Sequence, residues 1–213
     1  GLVHLMAPGT SAEAFKQSAF EELGDFVSGE FEVIEAEGDR VVLERNGGIL
    51  LPDGACAPLR VRKEHVFGSD RRVPTLDLRV QVTNTGDQPV EALVGVELSL
   101  NMLGGGGNPS AWYKVNGETG GFDQRKIVDS TDHVALGNDY IGIELESRPS
   151  PAAAAWWWSI ETMSLSESGF EASHQGGSLT FTWPIALDPG EQTTVSLANL
   201  VRSSRDRAEE EGL

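Results

Sequence analysis

The sequence is poor in cysteine and in long apolar runs. Its one cysteine, Cys56, excludes an internal disulfide, and the Pro/Gly-rich turn around it offers no group that would activate a thiol. No apolar run approaches the ~20 residues that a membrane span needs, and no basic, apolar leader stands at the start of the sequence. We therefore expect a cytoplasmic protein that has no membrane partner.

Positive charge is also scarce. The chain has 16 basic and 33 acidic residues, which give a formal net charge of −17. Nucleic-acid binding requires a basic footprint, so no nucleic-acid partner is expected; a charge of this size and sign mainly favours solubility. Part of the acidity is local, in residues 203–213. We expect those residues to form a flexible acidic tail after one domain that spans residues 1–202.

Motifs for catalysis or cofactor binding are missing as well. The four histidines, His4, His65, His133 and His174, are scattered and lack the close spacing of zinc ligands. The sequence has no nucleophile elbow, no phosphate-binding loop with its lysine, and no dinucleotide fingerprint. We therefore expect no metal and no cofactor, and we assign no catalytic residue.

What the sequence has instead is a period of two in its apolar residues. A helix is predicted over Thr10–Leu23, where Phe15, Ala19 and Leu23 fall at helical spacing. Asn46-Gly47-Gly48 and residues 84–87 are typical of turns. Roughly ten strands at this spacing predict an all-β fold, a large two-sheet antiparallel sandwich with one short N-terminal helix. The main predicted strands are Phe31–Ala36, Arg40–Arg45, Leu59–Lys63, Leu76–Val82, Val90–Leu100, Ile141–Leu145, Trp156–Met163, Leu179–Trp183 and Thr194–Leu200.

The longest alternation, Val90 to Leu100, allows both faces of one strand to be predicted. Its apolar face should point to the core, and the other face carries Gly95, Glu97, Ser99 and, just beyond the strand, Asn101. That face is either a solvated surface or the floor of a groove. Glu97 and Glu161 could pair as glycosidase carboxylates, although structural hydrogen bonding is the simpler interpretation.

The aromatic residues are few but clustered. Trp156 and Trp158 are assigned to the core because Ile160 continues their face, whereas Trp157 shares its face with polar neighbours and its role stays open. Trp112 lies near a glycine-rich loop, where binding residues are often found. The candidate ligand-binding set is Glu97, Ser99, Asn101, Trp112, Trp157, Glu161 and Gln175.

Five blocks of sequence carry a resemblance to a known family: His4–Pro8, Glu22–Phe26, Gly95–Asn101, Ser159–Phe170 and Gln175-Gly176. Their order and spacing resemble the C-terminal domain of family-57 glycoside hydrolases, which include α-amylases and 4-α-glucanotransferases. The resemblance extends from about residue 2 to residue 201. It implies a sandwich of the galactose mutarotase-like (super-sandwich) type, and catalytic carboxylates that lie on a separate barrel outside this chain.

The resemblance implies a non-catalytic module of an α-glucan-processing glycoside hydrolase or glucanotransferase, with a carbohydrate-binding or scaffolding role. Its partners would be an α-glucan or maltooligosaccharide and a catalytic barrel in the same or a partner chain. The alternative is a stand-alone sugar-active enzyme, an epimerase or lyase, and a third possibility is a purely structural domain. A groove in which Glu97, Glu161 and a histidine converge would favour the enzyme.

Overall fold

The computed structural model describes residues 1–103, 107–166 and 169–203, without the side chains of Ser166 and Phe170. Within these ranges the chain forms fourteen strands and one short helix. In chain order they are β1 (Leu2–Met6), α1 (Ala12–Lys16), β2 (Glu32–Glu37), β3 (Arg40–Leu50), β4 (Cys56–Phe67), β5 (Thr75–Asn84), β6 (Val90–Leu100), β7 (Ala111–Val115), β8 (Glu118–Gly121), β9 (Lys126–Thr131), β10 (Val134–Asn138), β11 (Ile143–Ser150), β12 (Ala153–Ser166), β13 (Gly169–Leu187) and β14 (Gln192–Ser203).

The strands form two antiparallel sheets. The small sheet has five strands in the order β1-β6-β13-β12-β9, and the large sheet has nine in the order β2-β3-β4-β5-β14-β11-β10-β7-β8. Their facing sides bury one continuous apolar core, to which the small sheet contributes Val96 and Phe181 and the large sheet Val61 and Leu197. The predicted two-sheet antiparallel sandwich is therefore confirmed.

Strand β6 has the bounds that its alternation predicted, Val90 to Leu100. It lies inside the small sheet, hydrogen-bonded to β1 on one side and to β13 on the other. Val90, Val94 and Val96 point into the core and are at most 1% exposed. An interior strand that turns a row of apolar residues towards the other sheet is what a sandwich requires.

The predicted helix over Thr10–Leu23 is much shorter in the structure, and this part of the prediction is wrong. Ser11 caps α1 by accepting a hydrogen bond from the Ala14 amide at 3.2 Å, but the helix ends at Lys16. The chain then runs back along β1, with the Leu23 amide donating to the Leu5 carbonyl at 2.8 Å. Pairing with a neighbouring strand outweighs a modest helix propensity.

The predicted turn at Asn46-Gly47-Gly48 is also wrong, because these residues lie inside β3 and pair with β4. The glycines provide space there. A Cβ on Gly48 would lie 2.5 Å from the Cys56 Sγ, and one on Gly47 would lie 2.3 Å from an Asp25 Oδ1. Gly47 and Gly48 therefore allow the close approach of other groups and do not mark a reversal of the chain.

The sequence did not predict five of the strands, each only four to six residues long: β1, β7, β8, β9 and β10. At the other end of the chain, Ser203 is still the last residue of β14. The remainder of the predicted acidic tail, residues 204–213, lies outside the described residues.

Candidate functional site

The seven predicted ligand-binding residues do not form one groove. The middle of the polar face of β6 is covered by α1 and the segment after it, which bury a second, smaller core against the outer face of the small sheet. Gly95 on that face makes room for β1, since a Cβ there would lie 2.9 Å from the Met6 Cε. The members of this second core are Met6, Ala12, Phe15, Phe20, Leu93, Trp156 and Trp158.

Glu97 is a structural residue beside this second core. Its Oε2 lies 3.3 Å from the Nε2 of His4, and its Oε1 accepts a hydrogen bond from the Ser178 hydroxyl at 2.7 Å. The Nδ1 of His4 lies 2.8 Å from Oε2 of Glu22, whose Oε1 accepts from the Leu5 amide at 2.7 Å. A half-buried carboxylate with these partners has met its hydrogen-bonding need within the protein.

The same contacts change the ionisation of both partners. Burial alone would lower the pKa of His4, but the hydrogen bonds and negative charges of Glu22 and Glu97 outweigh it and raise this pKa to about 9. The hydrogen bond from His4 holds the pKa of Glu97 below its usual range, against the opposing effect of burial. At neutral pH the cluster therefore consists of a charged His4 that forms ion pairs with Glu22 and Glu97.

Trp157 cannot stack on a sugar, so this candidate is corrected. It points between the two sheets, is 3% exposed, and its Nε1 donates to the Phe122 carbonyl at 3.0 Å. Gly177, which pairs with Ser159 on the neighbouring strand, leaves the space for its ring. Trp156 and Trp158 are buried as predicted, but they lie on the outer face of the small sheet, under α1.

Three more candidates, Asn101, Gln175 and Glu161, lie where β12 and β13 extend past the rest of the small sheet. The Asn101 side chain donates to the Gln175 carbonyl at 3.1 Å, and the Gln175 side chain donates to the Thr162 hydroxyl at 3.0 Å. Glu161 precedes Thr162 and so points to the opposite side. Gln175 is thus separated from Glu161.

Glu97 and Glu161 do not converge either. Glu97 pairs across β13 with Thr180, which pairs with Trp156, so these side chains share the outer face of the small sheet. Glu161 shares the alternation of Trp157 and faces the other way. Ser99 is exposed and pairs with Ser178, also on the outer face.

Trp112 lies elsewhere, on the outer face of the large sheet. Its Nε1 donates to Asp139 Oδ1 at 2.9 Å, and its ring lies over Gly137, where a Cβ would lie 2.4 Å from the ring atom Cζ2. Together with Glu144 and Arg202 it lines a surface cleft. Of the two aromatic residues in the predicted set, Trp112 is the one with a ring at the surface.

A charged cluster on the same face was not predicted. Glu146 accepts a hydrogen bond from Arg148 Nη2 at 3.0 Å, and it lies 3.1 Å from Arg202 Nε and 3.3 Å from His133 Nε2. Burial opposes ionisation of Glu146, but the hydrogen bond from Arg148 and the charges of Arg202 and His133 hold its pKa below the usual range. No local sequence signal marks these residues, because two different strands, β11 and β14, and the bend between β9 and β10 supply them.

Neither metal chemistry nor a membrane helix finds support in the part of the chain that the structure describes. Within it, no three His, Cys, Asp or Glu side chains are grouped so that they could hold a metal ion. None of its helical residues form a segment long and apolar enough to cross a membrane.

Comparison with known proteins identifies the domain. A family described as alpha-amylase/4-alpha-glucanotransferase, C-terminal, matches residues 2–197. A 4-alpha-glucanotransferase of Thermococcus kodakarensis is 30% identical over 184 residues, which are 85% of this chain and 23% of that protein. The chain thus spans about a quarter of the length of this curated relative.

Solved structures show the same fold. The 4-alpha-glucanotransferase of Thermococcus litoralis superposes with a TM-score of 0.69 at 24% identity, over 93% of this chain and 26% of that one. A galactose mutarotase-like protein of Clostridium acetobutylicum superposes with a TM-score of 0.60 at 8% identity, over 95% and 79% of the two chains. The predicted galactose mutarotase-like sandwich is confirmed. Because the family match covers nearly the whole sequence, the chain belongs to the family of α-amylase/4-α-glucanotransferase C-terminal domains.

Proposed function

We propose that the chain is a non-catalytic module that packs against the catalytic domain of an α-glucan-processing enzyme and acts as its scaffold. The observation that carries the proposal is the extent of the match. Residues 2–197 correspond to a C-terminal domain, and the matched region is 23% of the length of a 4-α-glucanotransferase. The rest of such an enzyme offers the sandwich a surface to pack against. We place the module in the cytoplasm.

The arrangement of the carboxylates supports a non-catalytic role. Glycoside hydrolysis uses two carboxyl groups on either side of the scissile bond, about 5–10 Å apart. Glu97 and Glu161, the predicted pair, face opposite sides of the small sheet. Glu97 is bound to His4 and Ser178, and Glu146 is surrounded by two arginines and a histidine. Such contacts make a carboxylate a poor general acid at neutral pH.

The ribbon formed by β12 and β13 supports the scaffolding role. Beyond Trp157 and Gly177 these strands lose their outer neighbours, β9 and β6, and continue as two strands alone. Met163 and Leu165 lie on one face of this ribbon and are 65% and 77% exposed. A two-stranded ribbon is marginally stable in water without a covering partner. The catalytic domain is the cover that we propose.

Association of the two domains is the test. We expect the chain, mixed with the separately produced catalytic domain of its own enzyme, to form a stable complex. Leu165→Lys should weaken that complex, whereas Ser164→Lys, on the opposite polar face, should leave it unchanged. Equal effects of the two substitutions, or no complex at all, would contradict the scaffold. The chain alone should release no sugar from starch or maltodextrin.

The alternative of a stand-alone epimerase or lyase gains no support. It requires reactive acid and base groups in one groove. Glu97 contacts His4, but Glu161 faces the opposite side of the sheet from both. Likeness to mutarotase-like proteins indicates the fold, and a fold does not by itself carry an activity.

A further inference from the structure

We propose that Trp112 and Tyr140 form a binding site for the maltooligosaccharide chain of an α-glucan, on the outer face of the large sheet. The choice of sugar rests on the function proposed above. The site itself rests on two aromatic residues at the same end of the neighbouring strands β7 and β10: Trp112, beside a polar cleft, and Tyr140, in the turn after β10 and almost wholly in solvent.

Trp112 is held in place before any ligand arrives. Its partner on the neighbouring strand β10 is Gly137. Because Gly137 has no Cβ, the indole ring can pack directly over the backbone of that strand. The hydrogen bond from Nε1 to Asp139 fixes the rotation of the ring. A ring that is already ordered loses little conformational entropy when a ligand binds, which favours affinity.

Tyr140 follows Asp139 directly, and it is 87% exposed. Its turn is nevertheless well anchored. Asn138 is 1% exposed; its side chain donates to the Met102 carbonyl at 2.7 Å and accepts from the Tyr140 amide at 2.9 Å. Gly142 closes the turn by donating to the Asn138 carbonyl at 2.9 Å. A fixed turn that presents a tyrosine to solvent suits recognition, because aromatic residues with polar tips bind ligands at wet surfaces.

Polar groups continue from Trp112 across the sheet. Gly137, Glu144 and Arg202 follow it in register on the next three strands. Neighbouring strands lie about 4.8 Å apart, so the backbones of Glu144 and Arg202 lie ~10 and ~14 Å from that of Trp112. Glu144 and Arg202 line the same cleft as Trp112. This row suits an extended chain of sugars better than a single small molecule.

The chemistry of the surface favours a neutral sugar over other ligands. The face of a pyranose that carries C–H bonds is apolar and can stack on an aromatic ring, while its hydroxyl edge needs donors and acceptors. The cleft offers both, with the Trp112 ring beside carboxylate, guanidinium and amide groups. A net charge of −17 disfavours phosphate and other anions.

The experiment is an NMR titration of the whole chain with maltoheptaose, with cellohexaose as a β-linked comparison. We expect a dissociation constant on the order of 0.1–1 mM, with amide shifts concentrated at Trp112, Tyr140 and Glu144. Tyr140→Ala should weaken binding about tenfold. Tyr140→Phe keeps the ring and should bind within about twofold of the natural chain.

The other outcomes separate this inference from the proposed function. No shifts with maltoheptaose at tens of millimolar, or shifts clustered away from Tyr140, overturn the glycan site while complex formation through Leu165 can still stand. Equal binding of cellohexaose overturns the assignment to α-glucan. Binding that Tyr140→Ala weakens, in a chain that forms no complex with the catalytic domain, supports the site and contradicts the scaffold.

Discussion

The outer faces of the two sheets carry similar polar residues, but one face is largely covered by another segment and the other is open to solvent. On the small sheet, α1 and Phe20 cover the middle of the face, and its histidine and glutamates bind one another. On the large sheet, Trp112 and His133 are partly exposed, and 58% of the Arg148 side chain is open to solvent. The difference teaches that alternating polar residues predict a face but not its use. Whether another segment covers that face decides between a second core and an open surface.

The largest expected effect tests whether the covered face is a true core. Trp157→Ala, between the sheets, and Trp158→Ala, under α1, should each lower the free energy of unfolding by roughly 3–5 kcal/mol, because both rings are buried. Chemical denaturation measures both values. A loss below about 1 kcal/mol for Trp158→Ala alone would mean that α1 covers this face only loosely.

The pH dependence of stability tests the charged cluster on the covered face. The pKa of His4 is raised in the folded chain to about 9, so its stabilisation is complete below its ordinary pKa of 6.5 and is lost as the pH rises through 9. The pKa of Glu97 is lowered, so its contribution is lost as the pH falls below its ordinary value of 4.5. We expect the free energy of unfolding to fall by ~2–3 kcal/mol between pH 6.5 and 10.

Replacing His4 by glutamine supplies the control for that pH experiment. In His4→Gln, thermal unfolding measured across the alkaline range should lose most of its dependence on pH. If the stability of the natural chain and that of the variant fall in parallel above pH 7, the fall comes from other groups, and the ion pairs of His4 contribute little.

A smaller effect is expected for a carboxylate on the open face. Glu146→Gln should lower the free energy of unfolding by about 1 kcal/mol, because Arg148 is largely in solvent and its ion pair is weakened by water and salt. Glu97→Gln should cost about 2 kcal/mol, because it leaves the charge of buried His4 with one carboxylate in place of two. Chemical denaturation at low and high salt compares the two variants. A larger loss of unfolding free energy for Glu146→Gln than for Glu97→Gln would contradict this prediction.

The smallest effect on stability is expected at Tyr140. Since this side chain is 87% exposed, Tyr140→Ala should change the free energy of unfolding by less than about 0.5 kcal/mol. Differential scanning calorimetry measures this change. A large loss would show that the ring supports the turn, and the same variant would then be unsuitable for locating sugar binding.

How much could be predicted from the sequence differs between the fold and the site. The long strands were predicted because each must place apolar residues on one side of a sheet, and β6 shows this at both of its ends. The short strands β7 to β10 were missed because each has only four to six residues, too few for an alternation such as that of Ala111, Tyr113 and Val115 to stand out. At the site, alternation grouped Trp157 with Glu161 correctly but could not tell that this side faces the other sheet.

The sequence by itself determined which residues lie in long strands, which side chains share a face, and to which family the domain belongs. These depend on a period of two and on local order along the chain. The tertiary structure alone decided that the N-terminal segment covers the small sheet, that Gly137 makes room for Trp112, and that Glu146 meets Arg202. Those contacts join residues far apart in sequence, and the packing of whole strands and segments against one another determines them.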